Sequence, residues 1–157
     1  MSYIVICVVF LIGIISIPNI LGQSDEINNN IAMEHHQKYV SSNIIDKYFN
    51  NNTLVHQKDF VNNLTLHYVL GGQGDPILLL HGWPETWYEW RHIIPELIAN
   101  NYTIIAPDLR GLGDSEKPQT GYDTKTVADD IYQLIKKLGY SEIYIIAHDF
   151  GGPIAYS

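Results

Sequence analysis

Basic residues are scarce in this chain of 157 residues: nine Lys and Arg stand against 17 Asp and Glu, a formal charge of −8. With no basic run anywhere, that balance argues against nucleic acid or an anionic membrane surface as a partner. Cysteine is scarcer still. The only one is Cys7, so the rest of the chain has no disulfide framework and no thiol nucleophile. Metal-site spacing is missing too: His35 and His36 adjoin, but no further ligands accompany them, and neither metal nor cofactor is expected. Gly71-Gly72-Gln73-Gly74 follows one apolar run and leads into another. No helix N-terminus is there to receive an anion, so the stretch reads as a turn rather than a phosphate loop.

What the chain does have begins with an apolar block, Tyr3 to Ile17, broken only by Gly13 and Ser16. Its length suits a signal-peptide core better than a membrane span, which needs about 20 apolar residues. Residues 1–22 are therefore read as a cleaved secretory signal ending at Ile20-Leu21-Gly22. An uncleaved membrane anchor over residues 3–17 is the alternative, since the n-region lacks Lys or Arg. Asn-x-Thr triplets at Asn51, Asn63 and Asn101 fit a secreted glycoprotein. Residues 23–57 are polar and Asn-rich and read as a linker.

The folded part is expected over residues 58–157. Phe60-Val61 and Leu64 to Leu70, separated by Asn62-Asn63, predict a β-hairpin. Ile77 to Leu80 is the continuous apolar run of a strand buried on both faces. Thr86 to Ala99 predicts a helix with Trp87, Trp90, Ile94, Leu97 and Ile98 on one face, interrupted or kinked at Pro95. Tyr102 to Ala106 predicts a strand. Val127, Ile131, Leu134, Ile135 and Leu138 predict a helix capped by Asp123 or Thr124 and stopped at Gly139. Ile143 to Ile146 predicts another strand. The alternation gives a doubly wound, mostly parallel α/β sheet with an N-terminal β-hairpin, whose ligands sit beyond the carboxyl ends of its strands.

At the end of the last strand, Ala147-His148-Asp149-Phe150-Gly151 has the small-x-nucleophile-x-small form of a sharp strand-to-helix turn. Asp149 is either a carboxylate nucleophile or an ordinary helix N-cap, and this stretch alone leaves the two even. Three blocks in order decide between them. His81-Gly82-Trp83-Pro84, Asp108 to Ser115 and His148-Asp149-Phe150-Gly151-Gly152 resemble the oxyanion loop, the following strand's loop and the nucleophile elbow of the α/β-hydrolase superfamily, in its epoxide hydrolase branch.

That resemblance implies a hydrolase opening a small apolar epoxide with water, through an ester on Asp149. It gives the backbone N–H groups of Trp83 and Phe150 to the oxyanion, and makes His81, Gly82 and Pro84 the residues that shape the loop, with a cis bond before Pro84. It places the acid, the catalytic histidine and two tyrosines of a lid after Ser157, so the chain reads as the N-terminal portion of a larger domain. His81 and His148 are read as structural. The superfamily's base follows the nucleophile, and His148 neighbours Asp149 in extended chain and points to the other face. Haloalkane dehalogenases share the Asp nucleophile, but Phe150 offers no side-chain N–H for a halide. A non-catalytic protein on the same scaffold is the remaining alternative.

Overall fold

The computed structural model describes residues 53–157. The signal segment 1–22, the histidine pair at 35–36, Asn51 and the polar stretch up to residue 52 lie outside the described residues. Strand β1, Leu54–Val61, runs antiparallel to β2, Leu64–Gly72. Asn62 and Asn63 turn between them with φ of 45° and 62°. Two successive positive φ values make the hairpin turn whose twist matches paired strands, and Asn tolerates them better than most residues. The strand begins at Leu54, so residues 54–57, assigned to the linker on sequence, belong to the sheet. The polar run His56-Gln57-Lys58-Asp59 hides this. As the outer strand of the sheet, β1 buries little beyond its ends, Leu54 and Val61.

The sheet continues with β3, Asp75–Leu80, β4, Tyr102–Pro107, and β5, Tyr144–Ala147, in the order β1-β2-β4-β3-β5. The β3, β4 and β5 strands are parallel to one another, while β2 meets β4 antiparallel. On β3, Ile77 and Leu79 face one apolar layer and Leu78 and Leu80 the other, each at most 5% exposed. That is the double-sided burial a continuous apolar run implies, and burying each such side chain contributes about 1.5–3 kcal/mol.

One layer is closed by α2, Thr124–Lys137, through Val127, Ile131, Leu134 and Ile135, and by Ile154 of α3, Gly151–Tyr156. Asp123 caps α2 by accepting the Thr126 N–H, and the chain leaves it through Gly139 at φ 86°. The other layer is closed by two short pieces, in keeping with the break or kink expected at Pro95 within Thr86 to Ala99. A 3₁₀ helix covers Trp87–His92, and α1 covers Ile94–Ala99 with Pro95 in its first turn. Pro95 has no N–H to give a preceding carbonyl, so the helix restarts around it, where that missing donor costs nothing. Trp90 and Ile94 still face the sheet.

Candidate active site

The parallel strands deliver three loops to one end of the sheet: 81–86 after β3, 108–123 after β4 and 148–150 after β5. Register aligns them, with Leu80 opposite Ala147 and Leu78 opposite Ile145. His148 N–H donates to the Leu80 carbonyl at 3.0 Å, extending the pairing by one residue. Asp149 then turns sharply, at φ 46°. A left-handed conformation at a non-glycine residue costs on the order of 1–3 kcal/mol, and the contacts on either side hold it. A Cβ on Gly151 would run into the Leu80 carbonyl, so only glycine lets the outgoing helix pass so close to β3.

The Asp149 carboxylate emerges exposed at the sheet end, and its Oδ1 accepts the Trp83 backbone N–H at 3.0 Å. The N–H groups of Trp83, first, and Phe150 hold this carboxyl below its ordinary value, because both hydrogen bonds favour the charged form. Gly82 lies directly against it: a Cβ there would sit 2.5 Å from the Asp149 Cβ and 2.7 Å from Oδ1. The Trp83–Pro84 bond is cis. So Gly82, Trp83, Asp149 and Phe150 converge from two loops far apart in sequence.

His81 lies behind them, fully buried. Its Nδ1 meets the Gly82 carbonyl at 2.7 Å, and Nε2 meets the Leu109 N–H at 3.0 Å. A carbonyl only accepts and an amide N–H only donates, so His81 is neutral with its proton on Nδ1. Burial pushes its pKa below the ordinary value, outweighing the Gly82 bond. With both nitrogens engaged, this ring pins the 81–82 turn to the loop after β4. His148 turns away from Asp149, its Nδ1 against Glu89 Oε1 without a completed hydrogen bond. Glu89 Oε2 in turn accepts the Gly82 N–H at 3.2 Å.

Deeper lies a junction that sequence reasoning did not single out. Asp108, 1% exposed, accepts from His67 Nδ1 at 2.7 Å, from the Trp87 N–H at 2.8 Å and from the Asp114 N–H at 2.8 Å. Burial works to raise the Asp108 pKa, but these donors prevail and hold it below the ordinary value. His67 Nε2 continues to His56 Nδ1 at 2.8 Å. The sequence marked Asp108 only as the start of the loop after a strand, because its partners His67 and Trp87 come from β2 and from the 3₁₀ helix.

Beside Asp149 a cleft of about 390 Å³ is walled by Trp83, Leu109, Leu112, Tyr122, Val127 and Phe150. Arg110, also on its wall, is committed to Asp130, with Nε to Oδ2 at 2.7 Å and Nη2 to Oδ1 at 2.6 Å. Its charge is therefore answered within the fold, and the cleft is mainly apolar. Among the described residues no group of three or more His, Cys, Asp or Glu is placed to hold a metal ion.

The chain is similar to several known proteins. A soluble epoxide hydrolase from a Corynebacterium species is 52% identical over 103 residues, covering 66% of this chain and 36% of that protein. A fluoroacetate dehalogenase from a Burkholderia species is 38% identical over 97 residues, covering 59% and 32%. The crystal structure of an epoxide hydrolase from Vigna radiata superposes with a TM-score of 0.65 at 38% identity, covering 67% of this chain and 33% of that one. The chain thus spans about a third of the length of the relatives it matches. Residues 75–156, from the first parallel strand through the elbow, match the family described as alpha/beta hydrolase fold. With the parallel sheet and the turn at Asp149 in place, that match assigns the chain to the α/β-hydrolase fold family.

Proposed function

We propose that this chain carries the nucleophile and oxyanion donors of a hydrolase that opens epoxides through an ester on Asp149. The observation that carries the reading is the division of labour within one carboxylate. Oδ1 is held by the Trp83 N–H, which leaves Oδ2 to attack an oxirane carbon. The ring C–O bond breaks, its electron pair goes to the ring oxygen, and that oxygen takes up a proton, the role the resemblance gives to two lid tyrosines. Water then adds to the ester carbonyl, and the negative charge gathers on Oδ1, the oxygen already facing the Trp83 N–H. Collapse expels the diol and restores the carboxylate. The lowered pKa of Asp149 keeps it ionised at neutral pH. The epoxide hydrolases among the similar proteins support the same substrate class, and the mainly apolar cleft suits an uncharged one.

Styrene oxide is a suitable probe. After quenching and trypsin digestion, the peptide of residues 138–157 should gain the mass of one styrene oxide on Asp149. Asp149→Ala should abolish the adduct, and Asp149→Asn should abolish it without altering the far-UV spectrum. An unlabelled wild-type peptide from folded protein would overturn the reading. Labelling by fluoroacetate with release of fluoride, and none by styrene oxide, would transfer the site to the dehalogenase reaction instead.

Residues 1–22 are read as directing secretion, which makes Asn63 and Asn101 sugar acceptors; both are exposed, in turns with positive φ. Expression in a secretory host should yield protein starting near Gln23 that shifts on glycosidase treatment. A cytosolic product starting at Met1 would refute this.

A further inference from the structure

We propose that Glu89 is a positioning residue that fixes the distance between the oxyanion loop and the nucleophile elbow. Its place in the fold is unusual for a surface glutamate. It rises from the 3₁₀ helix Trp87–His92 with its side chain 18% exposed, and its two oxygens face the two halves of the site. Oε2 accepts the Gly82 N–H, and Gly82 immediately precedes Trp83, whose own N–H reaches Asp149. Oε1 lies against His148 Nδ1, and His148 immediately precedes Asp149. One carboxylate therefore links the Gly82 backbone to the His148 side chain, at the residues just before the donor and the nucleophile.

The contacts around it leave the strap little slack. The Gly82 backbone already lies so close to Asp149 that a methyl group would not fit between them. If the loop moves outward, the Trp83 N–H leaves Oδ1, and of the two backbone donors only the Phe150 N–H stays with the carboxylate. The arm to His148 is an ion pair when the imidazole is protonated. The charged groups facing that ring are Glu89 and, one residue on, Asp149; Glu89 also acts on the buried His81.

This role rests on the reading of Asp149 as the nucleophile, but it is testable apart from it. The carbon resonance of the Asp149 carboxyl reports whether the Trp83 N–H is in place, whatever chemistry follows. In the chain as it stands, Glu89→Ala should raise the Asp149 titration midpoint towards the ordinary aspartate value and speed hydrogen exchange at the Trp83 amide. Glu89→Gln keeps an acceptor for Gly82 and should restore much of both. Where styrene oxide forms the ester, Glu89→Ala should lengthen its lifetime about tenfold or more, since the oxyanion loses one of its two donors, while the initial labelling rate changes far less. A purely structural contribution would lower the unfolding midpoint and leave the Asp149 titration of the folded protein where it was. An unchanged Asp149 midpoint and ester lifetime in Glu89→Ala would overturn the proposal. A shifted midpoint in a protein that no epoxide labels would uphold the positioning role and remove the epoxide reading instead.

Discussion

A methyl group at position 82 is enough to separate the two loops of the site. The built Cβ would overlap the Asp149 Cβ at 2.5 Å, and neither backbone can yield without losing the Trp83 N–H bond or the β3–β5 pairing. Gly82→Ala should therefore fold, with an unchanged far-UV spectrum, yet lengthen the lifetime of the styrene oxide ester on Asp149 about 10²-fold, the scale of loss that removing one oxyanion donor produces. His81 acts on stability. The folded chain holds it neutral, with burial depressing its pKa, whereas the unfolded chain takes up a proton near pH 6.5. Its contribution is complete above that value and is lost as the pH falls towards the depressed one. His56, lowered first by burial and then by His67, adds in the same direction. Urea midpoints should fall between pH 7 and pH 5, and fall less steeply in His81→Asn.

Among the elements, the end of β4 carries the most connections. Asp108 joins β4 to β2 through His67, to the 3₁₀ helix through Trp87 and to its own loop through Asp114. Asp108→Ala would leave those buried donors without an acceptor, and should cost about 3–5 kcal/mol out of the roughly 5–15 kcal/mol typical of a domain. Its folded-state pKa is lowered, so the stabilisation it gives is present above the ordinary aspartate value and lost as the pH falls through the lower one. Urea titration at pH 7 and pH 3 should show the variant and wild type converging at the acid end. Junctions of this kind are where the sequence was least readable. The hairpin announced itself through Asn62-Asn63 and α2 through five apolar residues at helical spacing, because those signals are local. Asp149 and Trp83 were legible as short motifs in order. Glu89 meets Gly82 7 residues away, His67 meets Asp108 41 residues away, and no spacing rule encodes such meetings. The start of β1 at Leu54 was hidden for the opposite reason, an outer strand whose polar face resembles a linker. The split at Pro95 was anticipated as a break but not as a change of helix type, which packing of Trp90 and Ile94 on the sheet decides.

At the scale of the whole molecule, neither histidine beside Asp149 is placed to act on it as a base. His81 has both nitrogens bound, and His148 faces Glu89 rather than Asp149. General-base assistance is typically worth about 10²–10⁴-fold, so the ester on Asp149 should form faster than it hydrolyses. The sheet adds a second constraint. Among the described strands β5 pairs only with β3, and beside it an apolar groove of about 470 Å³ is lined by Leu78, Ile131, Ile135, Ile143, Ile145 and Ile154. A strand paired on one edge only and bordered by isoleucines is a template for association with other chains, and the charge of −8 opposes this only where ionic strength is low. The 157-residue chain expressed alone should therefore release at most one diol per molecule, stall as the Asp149 ester, and self-associate more strongly as salt is raised. Quenched-flow counting of diol per chain and sedimentation velocity at two salt concentrations measure both. Sustained turnover by a salt-independent monomer that unfolds cooperatively would show that a base and a cover for β5 are already within the chain, and both expectations would fail together.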